Sequence, residues 1–381
     1  MRPETLQISP QALRRMRQVL RDFDIATPET IKKESTSEFR VSVSREILPV
    51  PGLIYLILQA LGCENYGRAE KVAWAFPFAF EGARCVLSSE KFGLRLYIDR
   101  AIAPDTEIAA QITQKIVGRL AKAQRVLERD VLRPMAMSEL QQGRVIVRNQ
   151  RYRLRDSYEY FREGASLAYE GNGRRQRANY IFEHETEAFY NTVAMVSSYF
   201  SLLEHILVLI APFTDRAVIG EDFLTFMGDR WSKKFKTVFD ITSNKDAKNF
   251  HDKLNEISEE YRNTYAHGGF DKSKGAIGFY IPSIGWLPAM LSDIRESPHF
   301  DFVPIAASDY RQICELFDSF DAWLETGPAY HGMQWAAAGL DVRYDDEFYN
   351  EVRSAIDGDS FDELLDRTSY LVDLHTNMDY P

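Results

Sequence analysis

The first third of the chain alternates between helical and strand-like spacing of its apolar residues. Ala12, Met16 and Leu20 recur at helical intervals behind Ser9, which predicts a first helix capped by that serine. Alternation of apolar and polar positions predicts strands in the same region. Beyond the first helix, the two patterns predict helices over 54–61 and 105–132, and strands over 38–45, 72–80, 85–87 and 94–98. We therefore expect a mixed α/β domain over residues 1–140.

The segment that follows, 143–156, also alternates and reads GRVIVRNQRYRLRD. A turn near Asn149 would fold it into a hairpin. Arg151, Arg153 and Arg155 would then lie on one face of its second strand, since side chains two residues apart share a face. We interpret residues 141–179 as an Arg-rich hairpin followed by a linker.

From about residue 180 onward the strand pattern gives way to helical spacing. A loop of about 35 residues, rich in Gly, Pro and Ser, interrupts it after Gly268 and Gly269. The predicted helices cover 182–209, 246–266, 309–324, 347–356 and 361–374, with two shorter ones within 223–239. We expect an all-α helical bundle over 180–328 and a short acidic helical tail over 329–381. The overall fold class is then α+β.

The charge divides unevenly along the chain. The 381 residues are 45% hydrophobic and 27% charged, which is ordinary globular usage and excludes a largely disordered protein. The total charge of −10 combines +9 over residues 1–180 with −19 over residues 181–381. A split of this size indicates two parts with different partners.

Several protein classes lack support in the sequence. The three cysteines form no C-x-x-C pair, which argues against a disulfide framework or a cysteine-based zinc site. No phosphate-binding loop, dinucleotide fingerprint, H-E-x-x-H or G-x-S-x-G motif is present, so we predict no cofactor and no metal. The longest apolar stretches, 47–62 and 200–213, are interrupted by proline or by charge. With no secretory signal, we predict a cytoplasmic protein that does not contact a membrane.

Arginine is concentrated between residues 144 and 177, a segment that contains nine arginines and four acidic residues. We consider this segment a candidate RNA-binding patch, because arginine contacts to phosphate dominate nucleic-acid affinity. The candidate residues are Arg151, Arg153, Arg155, Arg174, Arg175 and Arg177. The alternative is a solvated strand face followed by a linker, since most charge runs are simply surface.

One short constellation combines an arginine with a histidine at a helix end. Arg262 and Asn263 are followed by His267 and then by Gly268, which ends the predicted helix. An Arg followed by a His five to seven positions later is not informative alone, because Arg177 and His184 form a second such pair by chance. The second occurrence has neither the Asn nor the Gly.

The position of this constellation favours phosphodiester chemistry. Side chains five residues apart on an unbroken helix lie ~140° apart, so Arg262 and His267 meet only where the helix distorts or ends. The helix carboxyl terminus favours the protonated form of His267. Arginine can hold phosphate oxygens, and histidine can move protons. The alternative is that Arg262 pairs with Glu259 or Glu260 while His267 caps its own helix.

Arg-Asn-x-x-x-His-Gly at the end of such a helix resembles the HEPN domain (higher eukaryotes and prokaryotes nucleotide-binding). This family of small helical bundles occurs in prokaryotic toxins, defence proteins and RNA-processing enzymes. The resemblance covers residues 180–328. Members often place an acidic residue on an earlier helix facing the Arg, and this implies Glu204 as the partner of Arg262.

The resemblance implies a metal-independent endoribonuclease. Two protomers of a homodimer would form one cleft, in which the RNA 2′-hydroxyl attacks the adjacent phosphate. His267 would move protons, Arg262 would bind the phosphate, and Asn263 would orient it or brace Arg262. Tyr265 has a hydroxyl that would suit an assisting role, but its place in the helix stripe predicts a core residue.

Two further hypotheses remain open. Many HEPN members lack catalysis, so the bundle is alternatively an inactive dimerisation module that binds nucleotide or RNA. A toxin or defence role would add an antitoxin or another defence component as a partner. In such a system the acidic tail would compete with RNA for the basic first half of the chain.

Overall fold

The computed structural model describes residues 8–25, 38–100, 103–172, 183–214, 222–263, 278–288 and 305–378. Within these ranges the protein combines an antiparallel sheet with many helices, which confirms the predicted α+β class. The chain divides into two compact units. Unit 1 comprises residues 1–140 and 367–381, and unit 2 comprises residues 141–366.

Unit 1 is built on a five-stranded antiparallel sheet in the order β1-β3-β4-β5-β2. Its strands are β1 (Phe23–Ile25), β2 (Glu38–Ser42), β3 (Val72–Phe80), β4 (Ala83–Glu90) and β5 (Gly93–Asp99). Its helices are α1 (Pro10–Val19), α2 (Pro51–Leu61), α3 (Thr106–Leu127) and α4 (Arg133–Gln141). A π-helical segment, Glu128–Leu132, joins α3 to α4, so the helix that we predicted to end at residue 132 continues to Gln141.

The core of unit 1 is formed by the apolar residues that alternate along its strands and recur at helical spacing along its helices. Trp74, Phe76 and Phe78 occupy alternate positions of β3 and are all buried. The apolar faces of α1 and α3 join them in one cluster of buried residues. Each large side chain buried there contributes about 1.5–3 kcal/mol. Ser9 caps α1 as predicted, because its hydroxyl oxygen accepts a hydrogen bond from the Ala12 amide at 3.2 Å.

Unit 2 is mainly helical. Its helices in the described residues are α5 (Arg151–Tyr169), α6 (Glu183–Ile210), α7 (Asp222–Gly228), α8 (Trp231–Val238), α9 (Lys245–Ile257), α10 (Ala307–Thr326), α11 (Tyr330–Ala337), α12 (Asp346–Asp357) and the first part of α13 (Phe361–Asn377), whose residues from 367 on are assigned to unit 1. Its strands are β6 (Ile146–Val147), β7 (Gly278–Ile281), β8 (Gly285–Pro288) and β9 (Val342–Arg343). The prediction of an all-α bundle over 180–328 is therefore wrong at β7 and β8, which form a hairpin where we expected loop. Outside that range, β6 pairs with β9.

Helix α6 carries much of the buried surface of unit 2. Met195, Phe200, Leu203 and Leu207 on this helix are almost completely buried. Residues 186–213, counted with the 3₁₀ turn after α6, are long and apolar enough to cross a membrane by length and composition alone, but 61% of the tested window is buried inside the protein. Burial of this extent is typical of the central helix of a soluble domain.

The predicted Arg-rich hairpin is wrong, because its second strand is the start of α5. Alternation is confined to a few residues there, whereas Leu154, Tyr158, Phe161 and Ala165 continue at helical spacing and pack into the core. On a helix, residues two positions apart point in different directions. Arg151 and Arg155, four residues apart, still share a face of α5, whereas Arg153 points away from them.

The predicted boundary before the tail does not appear in the structure. Trp335, Phe348 and Phe361 surround Phe213 with ring centroids 5.5, 5.9 and 6.1 Å from its own. The first part of the tail thus belongs to the core of unit 2, together with the predicted linker and bundle. Only the portion after residue 366 is assigned to unit 1. The acidic composition suggested a separate tail because the acidic residues lie on the exposed sides of amphipathic helices whose apolar sides are buried.

Candidate functional site

Arg262 lies where helix α9 changes its winding. The buried positions His251, Leu254 and Ile257 follow α-helical spacing, and a π-helical segment, Ser258–Asn263, then continues the helix. In a π-helix the hydrogen bonds join residues five apart, so the side chains after Ile257 rotate relative to the α-helical stripe. Distortions of this kind recur at functional sites. The helix is thus distorted at the position of the motif.

Two residues of α6 hold the Arg262 side chain. Phe200 and Glu204 are four residues apart and therefore lie on one face of α6. The guanidinium carbon of Arg262 lies 5.4 Å from the centroid of the Phe200 ring, within cation–π range. Its Nη1 atom lies 3.5 Å from Oε1 of Glu204. The pair that the family resemblance implied is thus present, whereas the role of the pair stays a prediction.

This ion pair is better suited to orienting Arg262 than to stabilising the fold. A separation of 3.5 Å is long for a hydrogen bond, and the side chains of Arg262 and Glu204 are 28% and 34% exposed. Half-exposed pairs of this kind contribute about 0–1 kcal/mol. Glu204 and Phe200 restrict the guanidinium from two directions. A phosphate oxygen would find it oriented and still accessible to solvent.

Several predicted site residues lie outside the described residues. These are His267, Arg174, Arg175 and Arg177. Asn263 is the last residue of the π-helical segment, and the description covers its backbone and not its side chain. The expected approach of Arg262 and His267 therefore remains a prediction.

The arginines at the start of α5 contact acids on α10. Nη1 of Arg155 lies 2.7 Å from Oδ2 of Asp321, whose other oxygen accepts a hydrogen bond from the Tyr199 hydroxyl at 2.9 Å. Nη2 of Arg151 lies 3.7 Å from Oε1 of Glu325. Arg153 is exposed. Of the six predicted RNA-binding arginines, Arg151 and Arg155 thus already have carboxylate partners within the fold, and this corrects the idea of a continuous arginine face.

Two histidines near the site have structural environments. Nε2 of His205 accepts a hydrogen bond from the Gln150 amide at 2.9 Å, at the amino terminus of α5. Burial lowers the pKa of His205, in keeping with a neutral ring that accepts this bond. His251 contacts the Ser232 hydroxyl at 2.8 Å and Asp252 at 3.4 Å. The order of atoms matches a catalytic triad, but the His251 side chain is only 8% exposed.

A groove with an acidic rim lies beside the motif. It runs between α9 and α10 and has a volume of about 530 Å³. Ile257 and Leu316 are among its apolar lining residues. Glu256, Asp309 and Glu315 bring negative charge to it, with Lys253 as a basic residue. This charge favours a cationic ligand over a polyanion.

Sequence reasoning missed Phe200 and the π-helical distortion at Ser258–Asn263. The four-residue spacing from Phe200 to Glu204 was available as a signal. On a helix as uniformly apolar as α6, however, that spacing does not distinguish one phenylalanine from its neighbours. No spacing of apolar or polar residues in the sequence predicts the π-helical segment.

Comparisons with protein-family models, with curated proteins and with solved structures find no match to this chain. Within the described ranges, no group of three or more His, Cys, Asp or Glu side chains is arranged to hold a metal ion. The functional argument therefore depends on the residues around Arg262 and on their chemistry.

Proposed function

We propose that the protein is a metal-independent endoribonuclease of HEPN type that cleaves RNA through its own 2′-hydroxyl. The observation that carries the proposal is Arg262 in the π-helical continuation of α9, with Asn263 beside it and with Phe200 and Glu204 orienting its guanidinium. A cytoplasmic location and a role in a prokaryotic toxin or defence system, with an antitoxin or another component as partner, belong to the same proposal.

The chemistry needs no group beyond these side chains and the RNA. The 2′-oxygen forms a bond to phosphorus while the bond from phosphorus to the 5′-oxygen breaks. A base takes the 2′-hydroxyl proton, and an acid donates a proton to the departing 5′-oxygen. The products are a 2′,3′-cyclic phosphate and a 5′-hydroxyl.

Each proposed residue has a defined role in this step. His267 moves protons, and its counterpart in a homodimer supplies the second proton-transfer group. Arg262 binds the phosphate in a fork and offsets the negative charge of the transition state. Asn263 orients the phosphate or braces Arg262. Glu204 acts as a positioning residue, because its contact in the structure is with Arg262.

Purified protein incubated with structured and unstructured RNA in EDTA tests the proposal. The wild type should leave 2′,3′-cyclic phosphate ends, and His267→Ala or Arg262→Ala should lower the rate at least 100-fold. Arg262→Lys should restore little of the cleavage rate lost in Arg262→Ala, since lysine cannot bind a phosphate through two parallel hydrogen bonds. Arg311→Ala is a matched control, because Arg311 is an exposed arginine of the same unit. If a folded, dimeric wild type leaves every RNA intact, the proposal fails.

The acidic groove favours a second candidate function. Glu256, Asp309 and Glu315 would repel RNA close to Arg262 and attract a basic partner. In this alternative, unit 2 is a catalytically inactive module for dimerisation or for binding nucleotide or RNA. His267→Ala would then alter assembly or binding, as measured by light scattering and fluorescence anisotropy. No cyclic-phosphate product would appear with any variant.

A further inference from the structure

The helical layer of unit 1 has a strongly basic outer surface. Residues 10–21 contain four arginines and no acid, and residues 106–132 contain five Lys or Arg and three acids. We call these nine cations the basic face: Arg14, Arg15, Arg17, Arg21, Lys115, Arg119, Lys122, Arg125 and Arg129. All nine belong to the positively charged first half of the chain.

The basic face lies on one side of unit 1 because the buried faces of both helices pack towards the sheet. On α1, Met16 is buried while Arg14 and Arg17 are exposed. On α3, Ile116 is buried while Lys122 is exposed. The buried residues of the two helices belong to the same core cluster as the strands. The charged sides therefore point outward from a single layer.

Two ion pairs set the helices side by side. Arg15 near the start of α1 contacts Asp130 at 2.9 Å, and Arg119 contacts Asp22 just after α1 at 2.6 Å. The order of these contacts makes the helices antiparallel. Lys115 and Arg129 are separated by 14 residues, so the basic face is about 21 Å long.

The acids near the basic face do not neutralise it. Asp22 contacts both Arg21 and Arg119, and Asp130 contacts both Arg15 and Arg129. Each of these carboxylates thus leaves a surplus positive charge. Within the part of the chain that the structure describes, no acidic partner is found for four of the cations: Arg14, Arg17, Lys122 and Arg125.

The chemistry of the basic face favours a polyanion over a membrane. A helix that binds an anionic bilayer exposes large apolar side chains beside its cations. Among the described side chains of residues 8–24 and 103–132 no large hydrophobic residue is exposed, and the exposed Met135, Met137 and Leu140 of α4 lie beyond the end of the basic face. A row of exposed Lys and Arg without such anchors is suited to regularly spaced phosphates.

We propose that the basic face of unit 1 binds the phosphate backbone of RNA. The choice of RNA as the polyanion rests on the proposed ribonuclease function. The basic face then replaces Arg151 and Arg155 of α5, which already contact acids, as the part of the chain that holds the substrate. Backbone contacts carry no base information, so this binding is independent of sequence.

Binding of a labelled 20-nucleotide poly(U) RNA to the full chain tests the proposal. The RNA is kept intact by using His267→Ala protein in EDTA, and affinity is measured from 50 to 250 mM KCl. Adding Arg14→Gln, Arg17→Gln, Lys122→Gln and Arg125→Gln should reduce the slope of log K against log salt by about 3, because each lost phosphate contact removes about 0.7. Affinity at 0.1 M salt should fall about 100-fold or more.

A charge-matched control uses four exposed cations of unit 2. Arg230, Lys236, Lys245 and Arg311, each changed to Gln, remove the same charge and should leave the slope within about 1 of its starting value. An unchanged slope in the unit 1 variant, or an equal loss in the control, overturns the proposal. Tighter binding to vesicles containing 30% phosphatidylserine than to RNA also overturns it.

The two proposals fail in different ways. If the wild type cleaves no RNA but the unit 1 variant loses the salt-dependent binding, the ribonuclease proposal fails and the basic face stands. If cleavage occurs and the unit 1 variant binds and cuts RNA as the parent does, the ribonuclease proposal stands and the basic face is overturned.

Discussion

At the scale of single residues, neighbouring side chains on α6 have different tasks. Glu204 contacts Arg262, while His205 accepts a hydrogen bond from the amide of Gln150. One residue of displacement on a helix turns a side chain by about 100°. The acid is thus directed to the motif and the histidine to the start of another helix. Glu204 therefore orients a residue of the candidate site, whereas His205 stabilises the start of α5.

His205 makes the stability of unit 2 depend on pH. Because burial lowers its pKa in the folded state, the unfolded chain takes up a proton first as the pH falls. Stability should be lost from about pH 6.5 down to the lower folded pKa, by at most about 1.4 kcal/mol per pH unit. His205→Gln keeps an acceptor for the Gln150 amide and should flatten this dependence.

Urea unfolding between pH 5 and 7.5 measures the effect. Tryptophan fluorescence is a suitable signal, since four of the five tryptophans lie within residues 141–366. His184→Gln is the control, because His184 is exposed. Identical pH slopes for the wild type and His205→Gln would contradict the assignment.

Only part of the candidate site could be predicted at this scale. Arg262 and Asn263 were found because His267 and a predicted glycine stop follow them, and Glu204 because it interrupts an apolar run. Phe200 could not be singled out among similar neighbours. The rotation after Ile257 depends on tertiary packing, which local spacing does not encode.

At the scale of elements, long periodic segments were predicted well. The helix expected over 182–209 is found at Glu183–Ile210, and the strand expected over 72–80 is found at Val72–Phe80. The pairing of β6 with β9 joins Ile146 to Arg343, almost 200 residues later. Two-residue strands leave no pattern, so this pairing could not be predicted.

The start of α5 shows how a local pattern can mislead. Five residues of alternation resembled a strand, but helical burial continues to Tyr169. The alternating arginines then take different environments. Arg155 lies in a partly buried ion pair, and Arg153 is exposed. The difference between the losses of stability caused by replacing each of these arginines therefore tests whether this segment is helical.

Arg155→Ala should destabilise unit 2 by about 2–3 kcal/mol, because it leaves the Asp321 carboxylate, which is 15% exposed, without its cation. Arg153→Ala should change stability by less than about 0.5 kcal/mol. Urea unfolding at pH 7 measures both. Equal effects would show that the two arginines have similar environments, as a strand face would require.

At the scale of the whole molecule, the acidic tail has a structural task. Trp335, Phe348 and Phe361 pack around Phe213 in the core of unit 2. The hypothesis of a detachable inhibitory tail therefore cannot be tested by simple truncation. Loss of these rings alone removes several kcal/mol from a unit whose total stability is about 5–15 kcal/mol.

Deleting residues 329–381 should unfold unit 2 and should not activate it. We expect loss of the cooperative thermal transition in circular dichroism, together with increased binding of a hydrophobic dye. The matched control is Asp362→Asn, Glu363→Gln and Asp366→Asn, which removes exposed charge from α13 and keeps its buried residues. A truncated chain that melts cooperatively within a few degrees of the wild type would contradict this prediction. Stronger RNA binding by the control, with its fold intact, would support competition by the tail.

The division of the chain has a consequence for the order of biosynthesis. Unit 1 includes residues 367–381, and within it the amide of Lys71 donates to the carbonyl of Met378 at 2.9 Å. During translation at about 5–20 residues per second, the first 140 residues emerge roughly 10–50 seconds before this segment. Unit 1 thus starts to fold first and is completed last, after all of unit 2 has been made. A ribosome stalled within unit 2 therefore presents the basic face on a domain that still lacks its final segment.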